Sequence, residues 1–400
     1  MDIEWKCDGC GQDLITDSNY AGAKVECPKC MKPLIIPNSE TSREIEEKVI
    51  NLFPITMEGK DGYVDVSGSL IIPPQFQSAH HFSHGLGRVC IGGQFADGFK
   101  GGKWGFVDGT GSFVVRPDFD SAGDFSEGLA AVEIRERWGF IDNRGTMVIN
   151  PQFYNAGAFA EGLAVVREAL EGETRQEGGM WGYIDRTGTW VIKPQFHEAH
   201  GFHEGLALVT VEYYAGLQAY IDRTGSVKIK ASRFASNFYD GMAKFQPGEK
   251  DNSHYGYIDK AGNTVIPPQF DSANNFSEGL AAVGMRVKAG YDVYDEIQRY
   301  DYKWRYIDKL GRTVIGIQFL TERSDHVGRF SEGLAWVCPK GSGGKFGYIN
   351  RSGNIVIEPQ FDFPGNFRNG LAGVCIGETI TIRKTGYIDK KGKYVWTPTK

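Results

Sequence analysis

The sequence predicts an all-β fold, a tandem array of about nine three-stranded units preceded by a small zinc ribbon. One pattern recurs nine times between residue 50 and the C-terminus, and four cysteines form two C-x-x-C pairs near the N-terminus. The 53 glycines follow no collagen-like period, which indicates many tight turns between short strands. A short repeat cannot bury its own apolar face and must stack on a neighbour.

The first segment, residues 1–37, contains Cys7, Cys10, Cys27 and Cys30 as two C-x-x-C pairs separated by sixteen residues. Two such turns facing each other complete a tetrahedral zinc site with Zn–S bonds of about 2.3 Å. All four coordination places are filled by protein, so the predicted Zn2+ is structural. Another soft metal and a redox dithiol pair are the alternatives.

Residues 38–49 are polar and separate this module from the array. Thr41 followed by Glu44 fits the capping box of a short helix. A solvated linker explains the same composition, so both interpretations stay open for this segment.

Residues 50–400 form the predicted array, and its clearest element is an aromatic strand that ends in Asp. The copy from Trp181 reads W-G-Y-I-D, and Asp185-x-x-Gly188 then suits a hairpin turn, because Asp accepts backbone hydrogen bonds and Gly supplies positive φ. An aromatic residue holds the third place of the pattern in all nine copies. These residues are Tyr63, Phe106, Phe140, Tyr183, Tyr220, Tyr257, Tyr306, Tyr348 and Tyr387.

Two further strands complete each predicted unit. A proline strand of the type V-I-x-P-x-F follows the turn, and its prolines cannot donate to a ladder, so they end it. The connection F-S-E-G leads to a leucine strand that begins Leu-Ala-x-Val. Alternation predicts that the Ala and Val places are buried and that the next place, occupied by Cys90, Cys338 and Cys375, faces solvent.

Length variation lies almost entirely between the leucine strand and the aromatic strand, so insertions project from one edge. Spacings between successive positions of the signature glycine range from 34 to 49 residues. The longest insertion carries Tyr291, Tyr294, Tyr300 and Tyr302. Variable loops on a rigid scaffold commonly bind partners, and tyrosine is frequent in protein contacts, so these four residues are the candidate partner-binding site.

The ends of the array are irregular, which favours an open solenoid over a closed propeller-like ring. The first unit lacks E-G-L-A, and the last ends Y-V-W-T-P without P-Q-F. Atypical end units are typical of caps on an open array, and 34 residues are few for a four-stranded blade.

Charge and composition exclude several classes of function. A net charge of -6 gives no positive field for a nucleic-acid backbone. The acidic N-terminus does not resemble a secretory signal, and no apolar run is long enough to span a membrane. The sequence therefore predicts a cytoplasmic protein without nucleic-acid partners.

Repeated acids and histidines invite an active-site interpretation, but repetition favours a structural role. Glu127, Glu161 and Glu204 fill the same turn position in successive units. Histidines near positions 80 and 200 are a conceivable second metal site, although surface histidines are the simpler interpretation. No phosphate loop, nucleophile elbow or zinc-protease motif is present.

Together, the Trp-Gly pair, the I-D-x-x-G turn, the V-I-x-P-Q-F strand and F-S-E-G-L-A resemble the bacterial WG-containing repeat family over about 350 residues. The N-terminal cysteines resemble short bacterial zinc ribbons. The resemblance implies a non-enzymatic scaffold that binds a protein or ligand, with no catalytic residues to assign. A carbohydrate-active or cell-wall-active enzyme with an aromatic groove and a purely structural spacer are the alternatives.

Overall fold

The chain forms two compact units, residues 1–50 and 51–400, in a computed structural model. Residues described by the structure are 2–6, 13–17, 24–30, 32–35, 51–95, 99–168, 179–212, 216–231, 234–247, 254–292, 297–321, 323, 326–377 and 384–399. The first unit contains two antiparallel hairpins. Their strands are β1 (Asp2–Lys6), β2 (Asp13–Asp17), β3 (Lys24–Glu26) and β4 (Pro33–Ile35). The predicted linker at 38–49 lies outside the described residues.

The second unit is a ring of nine antiparallel sheets, numbered here as blades 1 to 9 in chain order. Blade 1 comprises β5 (Phe53–Met57), β6 (Lys60–Val64) and β7 (Leu70–Phe76), and blade 2 comprises β8 (Ser78–Ser83), β9 (Leu86–Ile91), β12 (Lys103–Val107) and β13 (Phe113–Phe119), with a small inserted hairpin of β10 (Gln94–Phe95) and β11 (Phe99–Lys100). Blade 3 comprises β14 (Ser121–Ala122), β15 (Leu129–Ile134), β16 (Arg137–Asp142) and β17 (Met147–Phe153), and blade 4 comprises β18 (Asn155–Ala160), β19 (Leu163–Arg167), β20 (Trp181–Ile184) and β21 (Trp190–Phe196). Blade 5 comprises β22 (Glu198–Ala199), β23 (Ala207–Glu212), β24 (Leu217–Ile221) and β25 (Val227–Ala231). Blade 6 comprises β26 (Met242–Phe245), β27 (Tyr255–Asp259) and β28 (Thr264–Phe270), and blade 7 comprises β29 (Ser272–Ala273), β30 (Ala281–Asp292), β31 (Ile297–Ile307) and β32 (Thr313–Thr321). Blade 8 comprises β33 (Leu334–Val337), β34 (Phe346–Asn350) and β35 (Ile355–Phe361), and blade 9 comprises β36 (Phe363–Pro364), β37 (Leu371–Ile376), β38 (Lys384–Asp389) and β39 (Tyr394–Thr399).

The prediction of three-stranded units is wrong for six of the nine blades, which have four strands. The extra strand is short and precedes the leucine strand, in the stretch that the sequence pattern indicates as a connection. We call it the axial strand, because His81 of one such strand, and Asn274 and Gly365 directly after two others, line cavities that several blades share. Among the described residues, blades 1, 6 and 8 have no axial strand in their sheets.

The expected open solenoid is also wrong, because blade 9 packs against blade 1 and closes the ring. The aromatic residue of each aromatic strand contacts a phenylalanine of the following blade, with ring centroids 4.7 to 5.2 Å apart. Nine such pairs run around the ring. They are Tyr63–Phe82, Phe106–Phe125, Phe140–Phe159, Tyr183–Phe202, Tyr220–Phe238, Tyr257–Phe276, Tyr306–Phe330, Tyr348–Phe367 and Tyr387–Phe53.

The ninth pair shows how an irregular end unit closes the ring. Phe53 belongs to the leucine strand of blade 1 and supplies the ring that an axial segment supplies elsewhere. The Tyr387 hydroxyl donates to the carbonyl of Pro54 at 2.9 Å, as the Tyr183 hydroxyl donates to that of His200 at 2.7 Å. The irregular start of blade 1, through Phe53 and Pro54, is therefore part of an interface between blades.

The turn glycines provide a second set of contacts between blades, which also closes the ring. Each Asp-x-x-Gly turn has its glycine at a φ between 77° and 86°, directly over the proline strand of the preceding blade. Gly392 lies against Ile357, and Gly68 of blade 1 lies against Val395 of blade 9. A Cβ at Gly68 would be 2.1 Å from the Val395 carbonyl oxygen, so no other residue fits this closure.

The glycine of each Trp-Gly pair is required by a bulge in its own blade. Pairing between aromatic and proline strands shifts register there, and a Cβ at Gly139 would lie 2.4 Å from the Ile149 carbonyl oxygen. Blade 5 has Ala219 at this place, and Ala219 pairs regularly with Lys230. In blade 5, loss of the glycine thus coincides with loss of this bulge, whereas blade 7, with Arg305 at the same place, keeps a register shift there.

The column of Cys90, Cys338 and Cys375 does not face solvent as predicted. Cys90 is fully buried, Cys338 is 2% exposed, and Glu133 in the same column is 9% exposed. Blades stack on both faces of each sheet, so side chains of both alternating sets are covered. Cys338 contacts Ser342, whereas Cys375 contacts Thr385, and neither thiol is in a disulfide.

Candidate functional site

The cysteine pair that the structure describes is held in a tight turn. Cys27 follows β3 and is buried, a turn covers residues 28–30, and Cys30 is exposed. The Cys27 N–H donates to the Lys32 carbonyl at 2.9 Å. Cys7 and Cys10 lie outside the described residues, so the four-cysteine zinc site stays a prediction.

The predicted tyrosine insertion is a long hairpin of blade 7. Its strands β30 and β31 pair from Ala281↔Ile307 to Asp292↔Ile297, well beyond the length of the other leucine strands. Tyr300 is 41% exposed, and the Arg286 guanidinium lies over its ring, 5.5 Å from the ring centroid. Tyr294 and the side chain of Tyr291 lie outside the part of the chain that the structure describes.

The base of this hairpin is fixed to the ring. Tyr302 packs against the core cluster around the buried Trp304. Asp301 is buried and binds Lys340 of blade 8 at 2.6 Å, and Arg286 binds Asp271 at 3.0 Å. Of the two tyrosines whose side chains are described, only Tyr300 is therefore displayed to a partner, while Tyr302 supports the scaffold.

The two edges of the ring differ in chemistry. Successive strands run in opposite directions, so the hairpins that join leucine strands to aromatic strands all lie on one edge, which we call the insertion edge. The Glu-Gly and Asp-x-x-Gly turns lie on the opposite edge, which we call the turn edge. On the insertion edge, Ile91, Val211, Met285 and Ile376 follow the buried part of their leucine strands and are 37% to 41% exposed. Exposed apolar side chains in one structural column are suited to contact with a protein.

The repeated glutamates have a structural role on the turn edge. Each adopts a left-handed backbone conformation, with φ near 54° at Glu161 and Glu204, although this region favours Asn and Gly. The Gly205 N–H donates to the Glu161 carboxylate at 2.9 Å, and Gly241 donates likewise to Glu204. Each carboxylate therefore spans to the turn of the following blade.

This ladder continues through six junctions, and basic residues reinforce several of them. The pairs are Glu127–Gly162, Glu161–Gly205, Glu204–Gly241, Asp240–Gly279, Glu278–Gly333 and Glu332–Gly370. Arg351 binds Glu278 at 3.2 Å, and Lys390 binds Glu332 at 3.1 Å. These acids are engaged in linking blades, which explains their repetition.

A cavity of about 430 Å3 lies near the ring axis, where blades 8, 9, 1 and 2 meet. Phe53, Phe367 and Leu371 form apolar parts of its lining, and Arg329 and Arg368 form charged parts. A neighbouring cavity of about 340 Å3 shares Arg329 with it and extends along blades 6 to 9. Neither cavity is among the sites predicted from the sequence.

Electrostatics in the larger cavity are dominated by positive charge. Arg329 and Arg368 are both exposed, and no Asp or Glu is among the described residues that line either cavity. Burial, followed by the charge of Arg368, lowers the pKa of His81 at the cavity wall. Asp124, an acid close enough to act on His81, is already bound to Arg88 at 2.8 Å.

The sequence carries a signal for this cavity at the place before the phenylalanine of each axial segment. That place holds His81, Asp124, Asn275, Arg329 and Asn366 in different blades. A place that varies in charge between structurally equivalent units marks a functional surface better than one that repeats. Nothing local indicates that these segments face one another.

The described residues hold no helix of the length and apolarity that a membrane crossing requires. They also hold no group of three His, Cys, Asp or Glu placed to bind a metal. The histidines near position 80 are accounted for otherwise. The His80 ring lies against Trp104, with ring centroids 5.5 Å apart, and the His81 ring contacts Phe53.

Three solved structures of low sequence identity are similar to this chain. KlHsv2 with loop 6CD replaced by a Gly-Ser linker is 8% identical, with a TM-score of 0.37, over 78% of this chain and 96% of that one. The β-propeller domain of the Trilobed protease from Pyrococcus furiosus is 11% identical, with a TM-score of 0.35, over 71% and 100%. AztD from Citrobacter koseri is 13% identical, with a TM-score of 0.28, over 86% and 84%.

No curated protein matches the sequence. The family model described as WG containing repeat matches seven segments, which together cover more than half of the chain. The segments are residues 62–95, 104–138, 138–169, 181–213, 255–286, 304–341 and 346–379. These segments include aromatic strands of blades 2 to 4 and 6 to 8, whereas blade 5, which lacks the bulge, is matched only up to residue 213. The chain belongs to the WG containing repeat family.

Proposed function

We propose that this propeller is a non-enzymatic scaffold that binds a partner protein through its insertion edge. The observation that carries the proposal is the blade 7 hairpin, which extends a rigid sheet outward and displays Tyr300 beneath Arg286. Tyrosine and arginine are among the residue types most often found at energetically dominant positions of protein interfaces.

The contacts of the hairpin base support a preorganised interface at this place. Arg286 is held by Asp271, and Asp301 is held by Lys340, so the hairpin is fixed before any partner arrives. A fixed side chain loses less conformational entropy on binding, which increases affinity. Exposed Met285 beside the hairpin base adds apolar area to the same edge.

The proposal assigns no catalytic role to the repeated acids, since they are engaged in the ladder between blades. It retains the structural zinc, the cytoplasmic location and the absence of a nucleic-acid partner that the sequence predicts. Metal analysis of the purified chain, with Cys7→Ser and Cys27→Ser variants, tests the zinc assignment independently of partner binding.

Affinity purification from the native cell followed by mass spectrometry tests the proposed surface. We expect Tyr300→Ala to weaken capture of the partner about 30-fold, as for an interface residue worth roughly 2 kcal/mol. Leu310→Ala is the matched control, because Leu310 is 67% exposed on the turn edge. If Tyr300→Ala and Met285→Ala both retain every captured protein, the insertion edge is not the binding surface.

A further inference from the structure

The cavity near the ring axis lies where the ring closes. Blade 1 begins, among the described residues, with the leucine strand β5, so no described axial strand stands between those of blades 9 and 2. Tyr387 consequently donates to Pro54 of a leucine strand, where Tyr348 donates to Gly365 beside an axial strand. None of the described strands fills this part of the ring axis, where the cavity of about 430 Å3 lies.

The charged groups in this space differ from other basic groups of the ring. Arg88 binds Asp124, Arg351 binds Glu278 and Lys390 binds Glu332. Arg329 and Arg368 have no described acid within ion-pair distance, and both are exposed to the cavity that they line. Two guanidinium groups without a carboxylate partner in one concave site attract an anion.

A neutral residue with a donor group, Asn366, lines the same space. The Trp336 indole N–H donates to the Asn366 Oδ1 at 3.0 Å, which leaves the Asn366 amide nitrogen as the group free to donate. Asn366 lines both cavities, as does Arg329. The polar lining near these residues therefore offers donors, while Phe53, Phe367 and Leu371 offer an apolar wall.

We propose that this cavity binds a small organic anion, a carboxylate or phosphate on an apolar body, through Arg329, Arg368 and the Asn366 amide. The volume falls within the range of small-molecule sites. Planar guanidinium groups bind carboxylate and phosphate in the same bidentate manner, so both forms of the anion share this chemistry. The site is distinct from the insertion edge proposed for protein binding.

Isothermal titration of the full chain with benzoate, phenyl phosphate and benzamide tests the proposal. Benzamide matches benzoate in shape without its charge. We expect at least one anion to bind and benzamide not to bind. Tighter binding of benzoate would identify a carboxylate site, and tighter binding of phenyl phosphate would identify a phosphate site.

Three substitutions and one control link any binding to the named residues. Arg329→Gln and Arg368→Gln should each weaken binding of the anion about tenfold or more, the usual effect of losing a charge-assisted hydrogen bond. Asn366→Asp keeps the acceptor for Trp336 but adds a repelling carboxylate, so binding should be lost. Arg116→Gln, on the outer strand β13, should leave binding unchanged.

Several results would overturn the site. Absence of anion binding at millimolar concentration, equal binding of benzamide, or full binding by the Asn366→Asp variant would each do so. An equal loss in Arg116→Gln would indicate a general charge effect and would also refute it. Unchanged thermal melting of the variants establishes that any loss of binding is local.

Discussion

Replacing Phe53 by Ala tests whether the ring is closed, because this side chain belongs to the interface between the first and last blades. Phe53 is 2% exposed, and its ring centroid lies 5.2 Å from that of Tyr387 and 6.1 Å from that of His81. Removing a buried Phe side chain costs about 3 to 5 kcal/mol, of which an aromatic pair contributes ~0.5 to 1.5 kcal/mol.

In a closed ring, Phe53→Ala should be as costly as the same change inside the ring. Phe125 is the matched comparison, because it is also 2% exposed and pairs with Phe106 at 4.7 Å. In an open array, Phe53 would lie on a terminal cap facing solvent. Phe53→Ala would then lower the free energy of unfolding by less than about 1 kcal/mol, well below the loss expected for Phe125→Ala.

Urea denaturation followed by tryptophan fluorescence gives the free energies of unfolding. Phe234→Ala, at a side chain that is 45% exposed, controls for the loss of a surface phenylalanine and should change stability by less than ~0.5 kcal/mol. The closed ring would be refuted if Phe53→Ala lowered the free energy of unfolding as little as Phe234→Ala does, while Phe125→Ala lowered it by about 3 kcal/mol or more.

Three further predictions address the hydroxyl at the closure, the turns and the zinc module. Tyr387→Phe should cost about 0.5 to 1.5 kcal/mol, because it removes one buried hydrogen bond to Pro54 and keeps the ring contact, and urea denaturation measures it. Asp185→Asn should preserve the turn, since Asn350 accepts the equivalent backbone N–H bonds at 2.9 and 3.1 Å. The hydrogen bond from Thr187 holds the pKa of Asp185 below its usual range, so the carboxylate contributes stability above a pH of about 3.9 that is lost as the pH falls further. The unfolding midpoint of Asp185→Asn should therefore fall less between pH 5 and pH 3, and an identical fall in both proteins would contradict this. Chelation of zinc should unfold residues 1–37 while the ring keeps its melting temperature, and a chelator-insensitive amide NMR spectrum of that module would contradict the zinc assignment.

Local chemistry accounts for much of the ring. The number of units, the aromatic strand, the proline strand, the Asp-x-x-Gly turn and the edge that carries the insertions all follow from residues close together in the chain. Each depends on φ preferences, alternation of side chains or loss of backbone donors at proline. These preferences act over a few residues, so the pattern within each unit is sufficient to identify the features.

Closure of the array depends on contacts between its two ends. The sequence pattern within a unit is compatible with an open or a closed arrangement, because each unit meets its next neighbour in the same way in both. The outcome rests on Phe53 with Tyr387 and on Gly68 with Val395, residues more than 300 positions apart. The irregular first unit conceals the match, since Phe53 has the role of an axial phenylalanine without its F-S-E-G context.

Burial of the cysteine column and the existence of the axial cavity have the same origin. A strand seen alone has one face for the core and one for solvent, but a blade in a ring is covered on both, so Cys90 is buried. The cavity brings Arg329, Arg368 and His81 together although they belong to three blades. The residue pattern is enough to define three strands of each blade, whereas the space that the blades enclose arises only on ring closure, because curvature sums small rotations over all nine units.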